Sequence, residues 1–179
     1  MKLSVVEYKG RNLAVASHIR PTQQQARQAL FSILYGHIEG ARVLDLCSGT
    51  GAWGIEALSL GAAHSSMVDI DTRILSKNCA FLPKERYQVV KSDCRNFLKR
   101  CKESYDLIFL DPPWREAKLY TESLKAIFDS DILSEAGYLV VEHRHDRHGD
   151  GDEFDLDSYP IISETRQYGD TVLRICRYE

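Results

Sequence analysis

The 179-residue chain has no apolar run approaching the roughly 18 residues that a membrane-spanning helix requires. Its opening stretch, MKLSVVEYKGRNL, lacks the long apolar centre and small-residue cleavage site of a secretory signal, so a cytoplasmic location is expected. Cysteine is scarce and shows no pairing pattern. Cys47, Cys79, Cys94, Cys101 and Cys176 are odd in number, scattered, and nowhere spaced as C-x-x-C, which favours reduced thiols over disulfides or a zinc site. Internal repeats and linker-like segments are also missing. A single domain spanning 1–179 is therefore expected, with residues 1–38 as an N-terminal extension and 39–179 as the main body.

A strong positive charge is missing as well. The net charge of -3 excludes a uniformly basic surface of the kind that binds nucleic acid through its backbone. The average conceals an asymmetry, because Lys2, Lys9, Arg11, Arg20 and Arg27 face only Glu7 within residues 1–35. That segment carries +4 and the rest of the chain -7, so a basic face on an acidic body is expected.

The 44% hydrophobic content is ample for a buried core, and it is arranged in alternating elements. KLSVVEY, the turn KGR and NLAVA read as a β-hairpin. RPTQQQARQALFSILYG reads as a helix, with Thr22 as its N-cap, Ala26, Ala29, Leu30, Ile33 and Leu34 as its apolar stripe, and Gly36 as its stop. Strands are predicted over 41–46, 65–70, 87–91, 105–111 and 137–143, and helices over 52–60, 72–82, 94–102 and 117–129. Strands and helices in this alternation predict an α/β fold, a Rossmann-like, mostly parallel and doubly wound sheet. Two further strands around Tyr168-Gly169-Asp170 predict an antiparallel C-terminal edge.

LDLCSGTGAWG places Gly49, Gly51 and Gly54 as G-x-G-x-x-G between a strand and a helix. Such a loop lets a ligand approach the backbone and favours negative groups at the helix start, which suits a dinucleotide or S-adenosylmethionine. Asp45, four residues before Gly49, separates the two. A pyrophosphate is repelled by a carboxylate there, whereas the ammonium of S-adenosylmethionine is attracted, directly or through the shape of the turn. Cys47, Ser48, Gly49, Thr50 and Gly51 are the candidate lining of that end of the ligand. Asp69, at the end of the second strand and beside Ile70, is the candidate acceptor for ribose hydroxyls, with Asp71 better explained as a helix N-cap. Asp93, beside Cys94, can cap a helix and contact an adenine amine at the same time.

LIFLDPPW then puts Asp111, Pro112, Pro113 and Trp114 at the C-terminal end of the fourth strand, where a doubly wound sheet opens into its ligand crevice. The prolines stiffen the turn. An amine conjugated to a heterocyclic ring is a poor nucleophile. If Asp111 and the Pro112 carbonyl accept its two hydrogens, its lone pair can point at an activated methyl. Trp114 offers an aromatic face for the base, and a base inside a duplex must first be flipped out.

With these motifs in place, DPPW and the glycine loop resemble the Asp/Asn-Pro-Pro-aromatic amino methyltransferases. YKGRNL, RPTQQQARQALFSIL, LDLCSGTGAWGIEALSLGA, LIFLDPPW and YGDTVLRI together resemble, in order, the bacterial 16S ribosomal RNA guanine-N2 methyltransferase family. The resemblance implies a seven-stranded methyltransferase sheet, S-adenosylmethionine as cofactor, and guanine N2 of small-subunit ribosomal RNA as acceptor. It also implies a partner that is ribosomal RNA, free or in a partly assembled small subunit. Gln24 departs from the family, which tends to carry an acid there.

Lys9, Arg11, Arg20, Thr22 and Arg27 are the candidate RNA contacts, against a simple solvated basic face. His143, His145, His148, Asp146, Asp150 and Asp152 match no metal template, so a polar loop is expected and no metal. Tyr120, Phe128 and Tyr138 are expected in the core or at its rim, and the protein is expected to act as a monomer. The motif alone leaves adenine N6 and cytosine N4 open as acceptors. A nicotinamide-dependent oxidoreductase and a non-catalytic RNA-binding module are the readings from other classes.

Overall fold

The computed structural model describes residues 13–14, 21–145 and 154–179. Apart from Leu13 and Ala14, which carry no strand, the expected N-terminal hairpin lies outside the described residues, together with Lys9, Arg11, Arg20 and the loop 146–153. Seven strands form one sheet in the order β3-β2-β1-β4-β5-β7-β6. β1 (Arg42–Leu46), β2 (His64–Asp69), β3 (Tyr87–Lys91), β4 (Tyr105–Leu110) and β5 (Leu133–Arg144) run parallel. β7 (Thr171–Tyr178) joins β5 antiparallel, and β6 (Ile161–Tyr168) closes the edge. The chain reverses direction across the sheet between β1 and β4, and a crevice opens there at the carboxyl ends of the strands.

The period-two alternation of the strands divides the core. Val43, Met67, Phe109 and Val140 face one layer, with α1 (Pro21–Ile33), α2 (Ala52–Ser59) and α3 (Arg73–Cys79). Leu44, Leu46, Ile108, Leu110 and Val141 face the other, with α4 (Cys94–Leu98) and α5 (Ala117–Phe128). Both faces are covered, which is why these strands read as continuous apolar runs. The edge strand β6 is exposed over most of its length and carries Glu164, Arg166 and Gln167, a charged edge that resists pairing with another chain.

Three expectations shift. α3 and α4 stop at Cys79 and Leu98, earlier than predicted. β5 starts at Leu133, four residues before its apolar run, because Leu133 pairs with Tyr105 before a register shift brings Tyr138 opposite Leu107. α1 begins at Pro21, so Thr22 lies inside the first turn instead of capping it, and Pro21 takes the position where a missing N–H costs nothing.

The buried face of α1 is also rotated from the predicted stripe. Ala26, Arg27, Leu30, Phe31 and Leu34 point inward, while Ile33 is 38% exposed. Arg27, a candidate RNA contact, does not face solvent. It is only 3% exposed, and its Nε donates to Glu56 Oε2 of α2 at 2.5 Å. A buried guanidinium persists only beside a paired charge, and Glu56, itself fully buried, supplies it. Phe31 turns inward to meet Trp53 and Phe109, with ring centroids 5.8 and 5.9 Å away.

Candidate active site

A cavity of about 810 Å³ lies over the carboxyl ends of β1 to β4. Cys47 and Gly49 come from the first loop, Asp69 and Ile70 from the second, Ser92 to Arg95 from the third, and Asp111 to Trp114 from the fourth. Gln23 of α1 completes one side. The loops that the sequence assigned separately to cofactor and acceptor therefore share one space.

The cofactor side is built from backbone bonds to two acids. Asp45 is fully buried, and its Oδ2 accepts the Gly54 N–H at 3.0 Å. It thus ties the end of β1 to the first turn of α2. Asp45 does not line the cavity, so of the two roles open to it the shaping of the turn is the one observed here. Its Oδ1 is buried with no hydrogen-bond partner among the described residues. Burial, together with the charges of Asp111 and Asp69, raises its pKa to about 8 against the pull of the Gly54 N–H.

Gly54 must be glycine because a Cβ there would sit 2.6 Å from Ser65 Oγ and 2.7 Å from Met67 Cγ. α2 lies that close to β2. Gly51 has φ +78°, and a Cβ there would meet Leu75 Cδ1 at 2.5 Å.

Asp69 ends β2. Its Oδ2 accepts the Gly49 N–H at 2.8 Å and its Oδ1 the Asp71 N–H at 2.9 Å, which fixes the carboxylate at the cavity wall. Asp71 accepts the Arg73 N–H at 3.2 Å and chelates the Arg73 guanidinium. It serves the start of α3 from one residue before the cap position, Thr72. Asp93 is the N-cap of α4, accepting from the backbone of Arg95 and Asn96. The Arg95 guanidinium grips both its oxygens and holds its pKa near 2. Cys47 adopts φ +59°, a strained conformation for a residue with a side chain, and its Sγ lies 3.7 Å from Cys94 Sγ across the cavity floor. Ser48 turns inward, its Oγ donating to the Asp45 carbonyl at 2.5 Å. Thr50 contributes its carbonyl, which accepts from Asn78 at 2.8 Å.

The acceptor side is built from side chains of distant elements. The Asp111 N–H donates to Leu46 O at 3.3 Å, which seats the DPPW turn beside β1. Its carboxyl reaches the cavity but is deeply enclosed, and burial pushes its pKa up to about 7 while a hydrogen bond from Trp53 pulls it back. Trp53, from the glycine-loop helix, stacks on Phe109 with ring centroids 5.0 Å apart. The sequence reading missed Trp53. Its signal was a tryptophan in the first turn after the glycine loop, in a position that must face the sheet.

Tyr120 of α5 is buried, with its hydroxyl 3.1 Å from Pro112 O and 2.9 Å from Glu142 O. One proton serves two carbonyls, so the hydroxyl can satisfy either. Trp114 is half-buried, with the Arg144 guanidinium 5.8 Å over its ring. Arg144 in turn lies 3.9 Å from Asp170, and this places the YGDT ending within reach of the site. Glu142, 3% exposed at the end of β5, has its pKa well above the usual carboxylate range through burial and the charge of Asp111. Gln23 Nε2 donates to Glu142 Oε1 at 3.5 Å. No group of three or more His, Cys, Asp or Glu among the described residues is arranged to hold a metal. His143 packs its ring against Phe154.

This sheet order, with a glycine loop after β1 and acids at the carboxyl ends of β1, β2, β3 and β4, defines the class: the fold of the S-adenosylmethionine-dependent methyltransferases. The sequence pattern of the family described as Conserved hypothetical protein 95 matches residues 1–177. Ribosomal RNA small subunit methyltransferase D of Escherichia coli (strain K12) is 33% identical over 141 residues, covering 76% of this chain and 71% of that protein. The solved structure of the putative methyltransferase yhhF from Escherichia coli superposes with a TM-score of 0.86 at 27% identity, covering 100% of this chain and 98% of that one. The crystal structure of SMU.776, a putative methyltransferase complexed with SAH, has a TM-score of 0.63 at 22% identity over 94% of this chain and 52% of that one, and shares the fold alone. The protein belongs to the Conserved hypothetical protein 95 family, the family of ribosomal RNA small subunit methyltransferase D.

Proposed function

We propose that the protein transfers a methyl group from S-adenosylmethionine to the exocyclic N2 of a guanine in 16S small-subunit ribosomal RNA, acting as a monomer on RNA or on a partly assembled small subunit. The ribosomal substrate follows from the family. One observation carries the chemistry: Asp111, bonded by Trp53 and followed by two prolines, opens into the same cavity as Gly49 and Asp69.

The residues present fit the cofactor. The Asp69 carboxylate lies on the cavity wall, held by the Gly49 and Asp71 N–H groups, and Asp45 behind the glycine loop keeps a buried oxygen without a partner among the described residues. A ligand carrying hydroxyl, sulfonium and ammonium groups suits such a wall, whereas a pyrophosphate is repelled by it. Asp69 would accept ribose hydroxyls, the loop Cys47 to Gly51 would line the methionine end, and Ile70, Asp93 and Cys94 would border the adenine. When bound, S-adenosylmethionine supplies a methyl group already activated by its positive sulfur.

The chain's own residues then prepare the nucleophile. Ionised Asp111 and Pro112 O accept the two hydrogens of the amine, which turns its lone pair out of the ring plane. Pro112 O can do this because a carbonyl has two lone pairs and because the Tyr120 hydroxyl can turn toward Glu142 O. The proton lost from nitrogen passes to Asp111. Its pKa of about 7 lets the group be ionised before reaction and protonated after it. Trp114 stacks on the base, a contact worth about 1–3 kcal/mol. Lys9, Arg11, Arg20 and Thr22 are assigned to the RNA, and Arg27 to anchoring α1.

The test is mass mapping of modified nucleosides in small-subunit RNA from cells with and without the gene. One N2-methylguanosine should disappear and should return with the wild-type protein but not with Asp111→Ala. An unchanged guanine pattern, or a lost methyl on adenine N6 or cytosine N4, overturns the reading.

A further inference from the structure

Methylation at guanine N2 poses a selection problem that Asp111 and Pro112 do not solve, since any conjugated amine can donate two hydrogens to them. The three bases differ in the ring atom beside that amine. Guanine presents a donor, N1–H, with the O6 acceptor beyond it. Adenine and cytosine present a bare ring nitrogen, an acceptor. A guanine-selective site therefore needs an acceptor next to the amine grip, followed by a donor.

Gln23 has both groups and lines the cavity with Asp111, Pro112 and Trp114. Its Nε2 carries two hydrogens, and one goes to Glu142 Oε1 at 3.5 Å. The carbonyl Oε1 and the second N–H remain for a ligand, side by side in the order acceptor, donor. That is the complement of a cyclic amide edge.

A glutamine amide turned by half would suit adenine instead. The orientation that suits guanine is the one the structure holds, with Nε2 toward Glu142 Oε1. Glu142 follows Val141, the partner of Leu110, and so sits on the strand rung beside Asp111. Its own backbone carbonyl lies 2.9 Å from the buried hydroxyl of Tyr120. The first turn of α1 is fixed in turn by Arg27, whose buried ion pair with Glu56 ties the helix to α2. Among the described residues that line the cavity, the one arginine, Arg95, is held by Asp93 and Glu122.

Resting on the N2-guanine reading, we propose that Gln23 selects the base by pairing with guanine N1–H and O6. Gln23 is a specificity determinant carried by α1, outside the glycine loop and the DPPW turn. It acts on the base and not on the cofactor.

The experiment uses the full chain, with RNA containing the mapped guanine or 2-aminopurine at that position, assembled into small-subunit particles where naked RNA is not accepted. 2-Aminopurine keeps the exocyclic amine but lacks both N1–H and O6. The wild type should favour guanine by roughly 10- to 100-fold in kcat/KM, the range of one good bidentate contact. Gln23→Ala and the apolar isostere Gln23→Met should lose that margin on guanine, with 2-aminopurine turnover and S-adenosylmethionine affinity unchanged. Unchanged kcat/KM on guanine in both variants overturns the inference, as does an equal fall on both bases, which marks a merely structural role. A wild-type protein that leaves guanine unmethylated refutes the proposed function instead, so the two failures are distinct.

Discussion

The two sides of the cavity are made by different means. On the cofactor side, backbone N–H groups of Gly49 in the β1 loop and Gly54 in the first turn of α2 bond to Asp69 and Asp45 at the ends of β2 and β1. On the acceptor side, Asp111 depends on Trp53 of α2, Pro112 on Tyr120 of α5, and Trp114 on Arg144 of β5. The first side is set by backbone N–H groups bonded to two acids and the second by side chains packed from three other elements. A substitution on the first should therefore act mainly on ligand affinity, and one on the second mainly on turnover.

Asp111→Ala gives the largest expected effect. Removing the amine acceptor should lower single-turnover methyl transfer by about 10²- to 10³-fold, the range for one preorganised polar group, while calorimetry finds S-adenosylmethionine affinity within about threefold of wild type. An equal loss of affinity would erase the distinction between the two sides. Asp69→Ala is the mirror test. It removes a carboxylate that holds the Gly49 N–H, and should weaken cofactor binding roughly tenfold or more while turnover at saturating cofactor changes much less.

Trp53→Phe probes the seam between the sides, because a residue of the glycine-loop helix serves Asp111. The Trp53 hydrogen bond lowers the Asp111 pKa, so its loss should raise it and move the acidic limb of the pH–rate profile above its wild-type position near pH 7. The rate at pH 7 should fall severalfold and recover toward higher pH. A profile that drops in height without shifting would remove Trp53 from this role.

The smallest expected effect concerns stability. Asp45 has a folded pKa of about 8, far above its unfolded value, so its contribution to stability is complete below about pH 4 and is lost as pH rises toward 8. Thermal unfolding of the ligand-free protein should show a weaker decline over pH 5 to 8 in Asp45→Asn than in wild type.

The contrast between the sides also explains what was legible in the sequence. The parallel strands were readable because strands buried on both faces are short apolar runs, and the glycine loop with Asp45, Asp69 and Asp111 was readable because its spacing is local. The first half of β5 was not, since Ser134, Glu135 and Gly137 break the apolar pattern and fall in the register shift between the Leu133–Tyr105 and Tyr138–Leu107 pairs. Arg27 was assigned to the surface because a lone arginine in a helix carries no mark of its partner, and Glu56 lies 29 residues away. Gln23, Tyr120, Glu142 and Arg144 became visible as a group only when the fold gathered them around DPPW. Asp93 was foreseen as a cap, but the Arg95 clamp on its carboxylate was not.

The central claim is that both sides open onto one reaction space. Its most direct measurement is a crystal structure of the protein with S-adenosylhomocysteine, read for the position of the sulfur. The account predicts the sulfur between the Gly49–Asp69 wall and the Asp111 carboxyl, facing the Pro112 carbonyl across a gap the size of one amine and one methyl group. A sulfur turned away from Asp111, or a cofactor seated outside this cavity, would contradict it.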